Sequence, residues 1–184
     1  IHNSIAEIDP YFLRAINPNN NTYFSKSFLE SFEISNPKID NRYICISDNG
    51  EPQAIALVQI VELSLDIVLK NIKISAITRS ILNILFSKDY IKVMFCGNVF
   101  LSGEYSMCFT LNANREKVVA KIGSSIDAVA RSIKPLHAIF IKDFPKKSLS
   151  YSKGFEAYGF TNINVEPNML IRLNRKWESF EEYK

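Results

Sequence analysis

The sequence predicts an α/β domain with a central mixed (α+β) sheet and helices on both faces. Three observations indicate this class. Strand-like and helix-like segments alternate along most of the 184 residues, which is typical of layered architectures. Residues 53–63 are apolar on both faces, as expected for a central strand covered on both sides. The clearest amphipathic helix pattern in the chain is formed by Val118, Ile122, Ile126, Val129 and Ile133.

The first part of the chain predicts a helix followed by a hairpin of strands. Residues 17–22, Asn-Pro-Asn-Asn-Asn-Thr, have the composition of a loop, and residues 25–32 follow as a short helix. Residues 42–47 are rich in β-branched and aromatic side chains and predict a strand. The Asp-Asn-Gly-Glu turn at residues 48–51 leads into the strand at 53–63, because Asn-Gly supplies the positive φ angles of a tight hairpin.

Helices and strands continue to alternate after this hairpin. Asparagine is favoured at helix starts and glycine just past helix ends, so Asn112 or Asn114 and Gly159 mark helix boundaries. The further predicted elements are helices at 75–86, 118–133 and 150–158, strands at 91–96, 105–111 and 136–141 (the last one buried), extended segments at 161–165 and 169–173, and the start of a helix at 177–183.

Composition and charge argue against several classes of protein. Hydrophobic residues make up 47% of the chain and charged residues 22%, the balance of a globular protein. The net charge of +3 is carried by scattered cations, which does not indicate DNA binding, and no segment has the roughly 20 apolar residues of a membrane span. Cys45, Cys96 and Cys108 are far apart, which predicts a reducing, cytoplasmic location and no metal site.

Two motifs resemble those of one group of bacterial proteins, and a third resembles a junction found more generally in the superfamily to which that group belongs. Residues 96–104, Cys-Gly-Asn-Val-Phe-Leu-Ser-Gly-Glu, are similar to the group's Cys-Gly-Asn-x-Phe-x-Thr-Gly-Glu segment. Glu-Pro-Asn-Met at 166–169, followed by Trp-Glu-Ser-Phe-Glu-Glu-Tyr at 177–183, is a second match. Phe-Glu-Ala-Tyr-Gly-Phe at 155–160 resembles a helix-to-strand junction. The chain thus resembles the GNAT-like acyl-CoA N-acyltransferase superfamily, in its Fem-like group associated with peptidoglycan biosynthesis.

The resemblance implies a GNAT-like domain over residues 1–174, with residues 175–184 beginning a helix that leads into a second half. It implies transfer of an acyl or aminoacyl group from a small-molecule donor to an amine. Acyl-CoA is the expected co-substrate, and no tightly bound cofactor is expected. An aminoacyl-tRNA donor is a further option that would require a basic groove. Neither the acceptor nor the oligomeric state is indicated by the sequence.

Seven residues are candidates for the site. Glu104 is the candidate general base, because it follows Gly103, whose flexibility would let the backbone approach a ligand. The other candidates are Cys96, Gly97, Asn98 and Gly103 for cofactor binding, and His137 and Tyr158 for substrate binding. Simpler interpretations stay open: Glu104 as a turn carboxylate, Asn98 as an asparagine that bonds its own turn, and His137 as a satisfied core residue.

Two departures from the acyltransferase pattern argue against the use of coenzyme A. They suit either another donor, such as an aminoacyl-tRNA, or a second hypothesis, a GNAT-like binding module without chemistry. Such a module would recognise a cell-wall precursor or a partner domain. Residues 110–115 stand where the coenzyme A pyrophosphate should be cradled at a helix N-terminus, but they include no glycine. The usual thiolate-protonating tyrosine would fall at Phe155, which has no proton to give.

The transferase interpretation depends on two predicted parallel strands, one ending at Cys96 and the other at Ile141. They should be neighbours, and they should diverge to leave a slot lined by free main-chain amides, since ligands gather at the carboxyl ends of strands. An amide in this slot would stabilise the oxyanion formed when the amine attacks the thioester. Strands that stay paired along their whole length would contradict this interpretation.

Overall fold

The computed structural model describes residues 1–64 and 90–164, together with Ser179 and Glu181. All structural statements below concern these residues. Three predictions lie outside them in whole or in large part, namely the helix at 75–86, the extended segment at 169–173 and the helix start at 177–183.

Two short helices precede the sheet. Helix α1 spans Pro10–Ile16 and begins at Asp9, whose carboxylate accepts a hydrogen bond from a backbone N–H of the first turn. This helix is not among the predicted elements, although aspartate followed by proline is a helix-start signal. Helix α2 spans Lys26–Ser35, with Ser25 as its N-cap. It confirms the helix predicted there and extends it by three residues.

The predicted hairpin is confirmed. Strands β1 (Asp40–Asp48) and β2 (Glu51–Ser64) pair antiparallel along their length. Asn49 and Gly50 connect them with φ angles of 50° and 84°, the positive values that such a turn needs. Residues 54–60 of β2 are all buried, which confirms the prediction of a central strand.

Three shorter strands complete the described sheet. Strand β3 (Tyr90–Cys96) is antiparallel to β2, and strand β4 (Met107–Phe109) pairs with the same edge of β2 closer to the hairpin turn. Strand β5 (Ala138–Ile141) is parallel to β3. The order is β1-β2-β3-β5, with β4 beside β2. The sheet is therefore mixed, as predicted.

The longest helix of the described ranges lies between β4 and β5. Helix α3 spans Arg115–Ser132, and Asn114 is its N-cap, because the Asn114 side chain accepts a hydrogen bond from Lys117 N at 3.1 Å. The amphipathic pattern correctly predicts this helix and one of its two candidate caps. Since α3 lies between β3 and β5 in sequence, it supplies the crossover that a parallel pair requires.

The helix predicted at 150–158 is two shorter elements. Helix α4 covers only Leu149–Ser152, and Lys153–Tyr158 continue as a 3-10 helix. Gly159 ends this segment in the left-handed conformation with φ of 81°, as predicted. The prediction of one continuous α-helix is therefore wrong, while its end is placed correctly.

Helices cover both faces of the sheet, as predicted, and each face buries its own apolar cluster. The cluster under α3 and α4 includes Ile44, Ala56, Val58, Met94, Ile122, Ile126 and Tyr151. The cluster under α1 and α2 includes Ile5, Leu13, Leu29, Tyr43, Ile55 and Leu57. Burial of large apolar side chains stabilises the fold by about 2 kcal/mol each, so the two clusters fix the sheet between its helices.

Three further details bear on the predictions. The strand predicted as buried at 136–141 is β5, which lies at the edge of the described sheet with Phe140 44% exposed. The strand predicted at 105–111 shortens to β4. Residues 161–164 form no strand with any described partner. Across the described ranges, every helix is too short or too polar to span a bilayer.

Candidate functional site

The candidate site is the loop of residues 97–106, which leaves the sheet at the end of β3 and returns to it at β4. Both ends of the loop are held by Leu57 on β2. Gly97 N donates to the Leu57 carbonyl at 2.8 Å, and Leu57 N donates to the Ser106 carbonyl at 3.0 Å. The ten-residue loop thus joins β3 to β4, and both of its ends are hydrogen-bonded to the same residue of the central strand.

Four of the seven predicted site residues lie in the 97–106 loop, and a fifth directly precedes it. They are Gly97, Asn98, Gly103 and Glu104, with Cys96 before them. Gly97 and Gly103 have φ angles of 127° and 123°, which residues with side chains rarely adopt. At Gly97 a side chain would also crowd Lys142 Cβ at 3.2 Å. The backbone path of the loop itself therefore explains both glycines.

A buried glutamine on β2 supports the start of the loop. Gln59 is fully buried, and its carbonyl oxygen accepts a hydrogen bond from Val99 N at 2.8 Å. Its amide nitrogen donates to Asn41 Oδ1 on β1 at 2.9 Å. Gln59 is not among the predicted site residues. Its position as a polar residue inside the apolar run of β2 is the sequence signal that could have indicated it. Burying an amide costs free energy unless it is hydrogen-bonded, and both ends of the Gln59 amide are hydrogen-bonded.

Two consecutive residues after β5 hold the middle of the loop. The Lys142 ammonium donates to the carbonyl oxygens of Asn98 at 2.8 Å and Leu101 at 3.0 Å. The Asp143 carboxylate accepts a hydrogen bond from Gly103 N at 3.3 Å, and it lies 3.7 Å from the Lys142 ammonium. Neither residue was predicted in the site, because both lie about 40 residues away along the chain.

Asn98 does not present its amide to solvent. It is 2% exposed, and its side-chain oxygen accepts a hydrogen bond from Phe100 N at 2.9 Å, so it bonds its own turn. Its amide nitrogen Nδ2 and the hydroxyl of Ser106 are buried without a hydrogen-bond partner among the described residues. An unpaired buried donor costs about 1–3 kcal/mol, so these two groups require an explanation.

The Cys96 thiol is a buried apolar group in this structure. Burial raises the pKa of Cys96 to about 12. Its sulfur lies 3.8 Å from the Ser106 carbonyl oxygen, to which it is a weak donor. A thiol becomes a nucleophile as the thiolate, which this environment disfavours. The side chain of Cys96 is therefore placed for packing and not for contact with a cofactor.

Glu104 forms a close pair with Tyr151 of α4. The Tyr151 hydroxyl donates to Glu104 Oε1, and no second hydrogen bond to this carboxylate exists among the described residues. Burial, and then the bond to Glu104, raise the pKa of Tyr151 to about 12. The phenol thus keeps its proton at neutral pH, so the pair combines a proton donor and a proton acceptor. Sequence reasoning missed Tyr151 because it looked for the acid four residues later.

A cation and several aromatic rings surround Tyr151. The Arg115 guanidinium, at the start of α3, lies 5.3 Å from the ring centroids of both Tyr151 and Phe109. The Phe144 ring contacts Tyr151 edge-on at 6.2 Å. Cation–π contacts of this kind are worth about 0.5–2 kcal/mol. They hold the Tyr151 ring in a fixed orientation against the loop.

The expected slot between the two parallel strands is not present. β3 and β5 are neighbours and parallel, as predicted, but their pairing continues to Cys96 opposite Ile141. Lys142 N then donates to the Cys96 carbonyl at 3.0 Å, one residue beyond the end of β5. The prediction that these strands diverge before their carboxyl ends is therefore wrong. Beyond them, the Lys142 side chain donates to the main-chain carbonyl oxygens of Asn98 and Leu101.

His137 lies at the opposite end of β5 from the loop. It precedes the first residue of β5, and its Nδ1 accepts a hydrogen bond from Lys92 N at 3.0 Å. The four residues of β5 lie between it and Lys142, so the two are about 16 Å apart along the strand. The structure therefore does not bring His137 together with Cys96 or Glu104. The prediction that it lies near Gly97 is wrong, because strand direction places it at the amino end.

Tyr158 packs on α3. Its hydroxyl donates to the Ala120 carbonyl at 2.7 Å, and its ring lies over Gly123, where an added side chain would approach it to 2.6 Å. These contacts explain Tyr158 as part of the junction between the 3-10 helix and α3. It does not contact the 97–106 loop in any described interaction, so a substrate role for it stays a prediction.

Comparisons with known proteins and a search for metal ligands add no assignment. Within residues 1–64 and 90–164, no three His, Cys, Asp or Glu side chains form a group that could hold a metal ion. The chain matched no family model, no curated protein and no solved structure. The function must therefore be inferred from the geometry of the loop and from the motifs.

Proposed function

We propose that this chain is a GNAT-like binding module that recognises a ligand through the 97–106 loop and does not transfer an acyl group. The observation that carries the proposal is the closed edge between β3 and β5. An acyltransferase of this type needs a free main-chain amide between diverging strands to stabilise the oxyanion. Here the strands pair to their ends, and the Lys142 side chain bonds across the space beyond them.

The start of α3 supports the same proposal. Coenzyme A pyrophosphate would need free backbone N–H groups at this helix N-terminus. The Asn114 side chain already accepts the hydrogen bond of Lys117 N, and residues 110–115 contain no glycine that would let a phosphate approach the backbone. Both features disfavour the pyrophosphate and leave the loop as the better candidate for ligand contact.

The order of elements and the motifs support a GNAT-like description of the fold. Two helices precede an antiparallel hairpin, and a crossover through α3 joins the parallel strands β3 and β5. The resemblance of residues 96–104 to a group associated with peptidoglycan biosynthesis makes a cell-wall precursor the first ligand to test. A partner domain is the other ligand that this proposal includes.

Calorimetry tests the proposal directly. We expect no heat of binding on titration with acetyl-CoA or longer acyl-CoAs, and measurable binding of a soluble peptidoglycan precursor or of a partner domain. Glu104→Gln should leave this binding within about twofold of the wild-type affinity. Binding of an acyl-CoA that is followed by release of free thiol would overturn the proposal.

One observation favours a second candidate, an N-acyltransferase that uses the Glu104–Tyr151 pair. In this reaction the amine nitrogen bonds to the thioester carbonyl carbon, and the carbon–sulfur bond breaks. Glu104 takes the proton that the amine loses, and Tyr151 gives its proton to the departing thiolate. The direct hydrogen bond between the two side chains then returns the proton from the carboxylic acid to the phenolate.

A thiol-release assay separates the two candidates. For the transferase, Glu104→Gln and Tyr151→Phe should each lower the rate about 100-fold or more, within the range of general acid–base catalysis. Glu156→Gln, on the exposed 3-10 helix, is the control and should leave the rate unchanged. Absence of thiol release from the wild-type protein with every acyl-CoA and amine tried would remove this candidate.

A further inference from the structure

Side chains alone hold the middle of the 97–106 loop against the rest of the described protein. Main-chain bonds to Leu57 fix only its two ends. Every hydrogen bond from residues 98–104 to another described segment uses a side chain on at least one partner, as the contacts of Gln59, Lys142, Asp143 and Tyr151 show. A segment without strand or helix pairing opens more easily than the sheet that carries it.

Lys142 and Asp143 form the most extensive of these attachments, and we name this dipeptide the latch. The latch contributes three hydrogen bonds, to the carbonyl oxygens of Asn98 and Leu101 and from Gly103 N. Both latch side chains keep about a quarter of their surface in contact with solvent. Asp143 also has a φ angle of 59°, in the left-handed region that a residue with a side chain adopts only at a cost.

Two buried donors lie at the base of the closed loop. Asn98 Nδ2 and the Ser106 hydroxyl have no acceptor within the described ranges. Asn98 directly follows Gly97, and a side chain added at Gly97 would come within 3.5 Å of Ser106, so both residues border this glycine. In the closed arrangement the latch side chains make their hydrogen bonds, but Asn98 Nδ2 and the Ser106 hydroxyl have no described partner. A state in which they meet an acceptor oxygen would recover that loss.

We propose that residues 97–106 are a lid that the latch holds shut, and that its opening exposes Asn98 Nδ2 and the Ser106 hydroxyl to an acceptor oxygen of the ligand. A carboxylate or an amide carbonyl supplies such an oxygen. The hinges are the two ends at Leu57 and the glycines at 97 and 103, which have the backbone freedom that the movement needs. The ligand part rests on the proposed function, whereas the latch acts in the free protein.

Hydrogen exchange of the free protein tests the latch. Lys142→Met keeps the length of the side chain but removes the ammonium, so amide exchange in residues 97–106 should become about tenfold faster or more. Lys142→Arg, which keeps a donor cation, should restore most of the protection. Lys92→Met is the matched control, because Lys92 is equally exposed but pairs with Glu62 away from the loop. It should leave the loop unchanged.

Two results would overturn the lid. One is unchanged exchange in the loop of the Lys142→Met protein. The other is faster exchange throughout the sheet, which would mean general destabilisation. If Lys142→Met does not fold, Asp143→Asn serves instead, since asparagine tolerates the left-handed conformation while the carboxylate is lost. Asp143→Asn should accelerate amide exchange at Gly103 by at least about threefold. An unchanged exchange rate at Gly103 would also overturn the lid.

Nuclear magnetic resonance tests the exposed donors. Acetate and acetamide are titrated as probes into ¹⁵N-labelled Lys142→Met protein, and the Asn98 side-chain amide signals should shift in a saturable way. Ser106→Ala in the same background should weaken this response at least about threefold. Unmoved Asn98 signals with both probes would overturn the ligand part while leaving the latch result standing. A response to acetate alone would assign the site to a carboxylate.

Discussion

Among the described residues, two tyrosine–glutamate pairs with a buried tyrosine lie on opposite sides of the sheet, and they are built differently. On the side of α1 and α2, Glu33 accepts hydrogen bonds from the Tyr43 hydroxyl at 2.7 Å, Ile5 N at 2.8 Å and the Ser4 hydroxyl at 2.8 Å. On the other side, Glu104 accepts one hydrogen bond, from Tyr151, among the described residues. The chemistry of the pair is the same, but the number of donors differs.

This difference separates a structural carboxylate from an available one. Glu33 lies on helix α2, and its three donors join that helix to β1 and to the N-terminal segment, which itself pairs with Tyr43 through His2. Glu104 lies on a loop held by side chains, and only one of its oxygens accepts a hydrogen bond from a described residue. The two carboxylates thus differ in how firmly they are fixed, by three donors at Glu33 and by one described donor at Glu104.

The largest expected effect comes from Glu33. Glu33→Gln should lower the free energy of unfolding by about 3 kcal/mol, because the amide nitrogen is not an acceptor and the bonds to the remaining oxygen lose their charge. Glu104→Gln should cost about 1 kcal/mol, since one bond is affected. Urea denaturation measures both. Glu30→Gln, which breaks an exposed pair with Lys26, should change stability by less than about 0.5 kcal/mol.

Equal losses for Glu33→Gln and Glu104→Gln would remove the distinction between the two pairs. A larger loss for Glu104→Gln would reverse it and would make the loop the more important support of the fold. Glu33→Asp gives a second measurement if the glutamine variant does not fold. It keeps the charge but shortens the reach, so it should lie between the wild-type protein and Glu33→Gln.

Gln59 joins strand β1 to the 97–106 loop through Asn41 and Val99, and its replacement has the second largest expected effect on stability. Gln59→Met should lower the free energy of unfolding by about 2 kcal/mol, because Val99 N and Asn41 Oδ1 lose their partner in a buried region. Exchange at Val99 should also become faster. Gln53→Met, on the same strand with only a long contact to the Glu51 carbonyl, should change stability by less than about 0.5 kcal/mol.

A Gln59→Met protein with wild-type stability would show that the loop does not need this support. It would also shift the assignment of loop control entirely to Lys142 and Asp143. A strong loss of stability with unchanged exchange at Val99 would instead place the role of Gln59 within the sheet, between β1 and β2. The experiment therefore sharpens the contrast between the rigid sheet and the attached loop.

The parts of the fold that were predictable are those whose signals are local. The hairpin through Asn49-Gly50, the central strand β2 and the amphipathic helix α3 each follow from residues close together in sequence. The contacts that build the site are not local. Lys142 reaches Asn98 over 44 residues and Tyr151 reaches Glu104 over 47, so no spacing rule indicates either contact.

The carboxyl ends of β3 and β5 also depend on contacts that the local sequence does not indicate. That the parallel strands at Cys96 and Ile141 are neighbours was predictable from the crossover helix. The detail that decides the chemistry, whether their ends separate, depends on how the following residues pack. Lys142 joins the ends with both its main chain and its side chain, and nothing in the sequence of β5 distinguishes that arrangement from an open one.

The last expected effect appears only at alkaline pH, as a loss of stability from the two tyrosines. Tyr43 and Tyr151 both have a raised pKa, first through burial and then through the neighbouring carboxylate, and that of Tyr151 lies at about 12 against an ordinary value of 10. Since the folded state holds these protons more tightly than the unfolded state, both contributions are complete below pH 10. That of Tyr151 is lost as the pH rises to about 12, and that of Tyr43 is lost at higher pH. Absorbance at 295 nm should show Tyr43 ionising after Tyr151. Tyr151→Phe should flatten the fall in stability between pH 10 and 12, and an unchanged slope would mean that the Glu104 pair does not hold its proton as the Glu33 pair does.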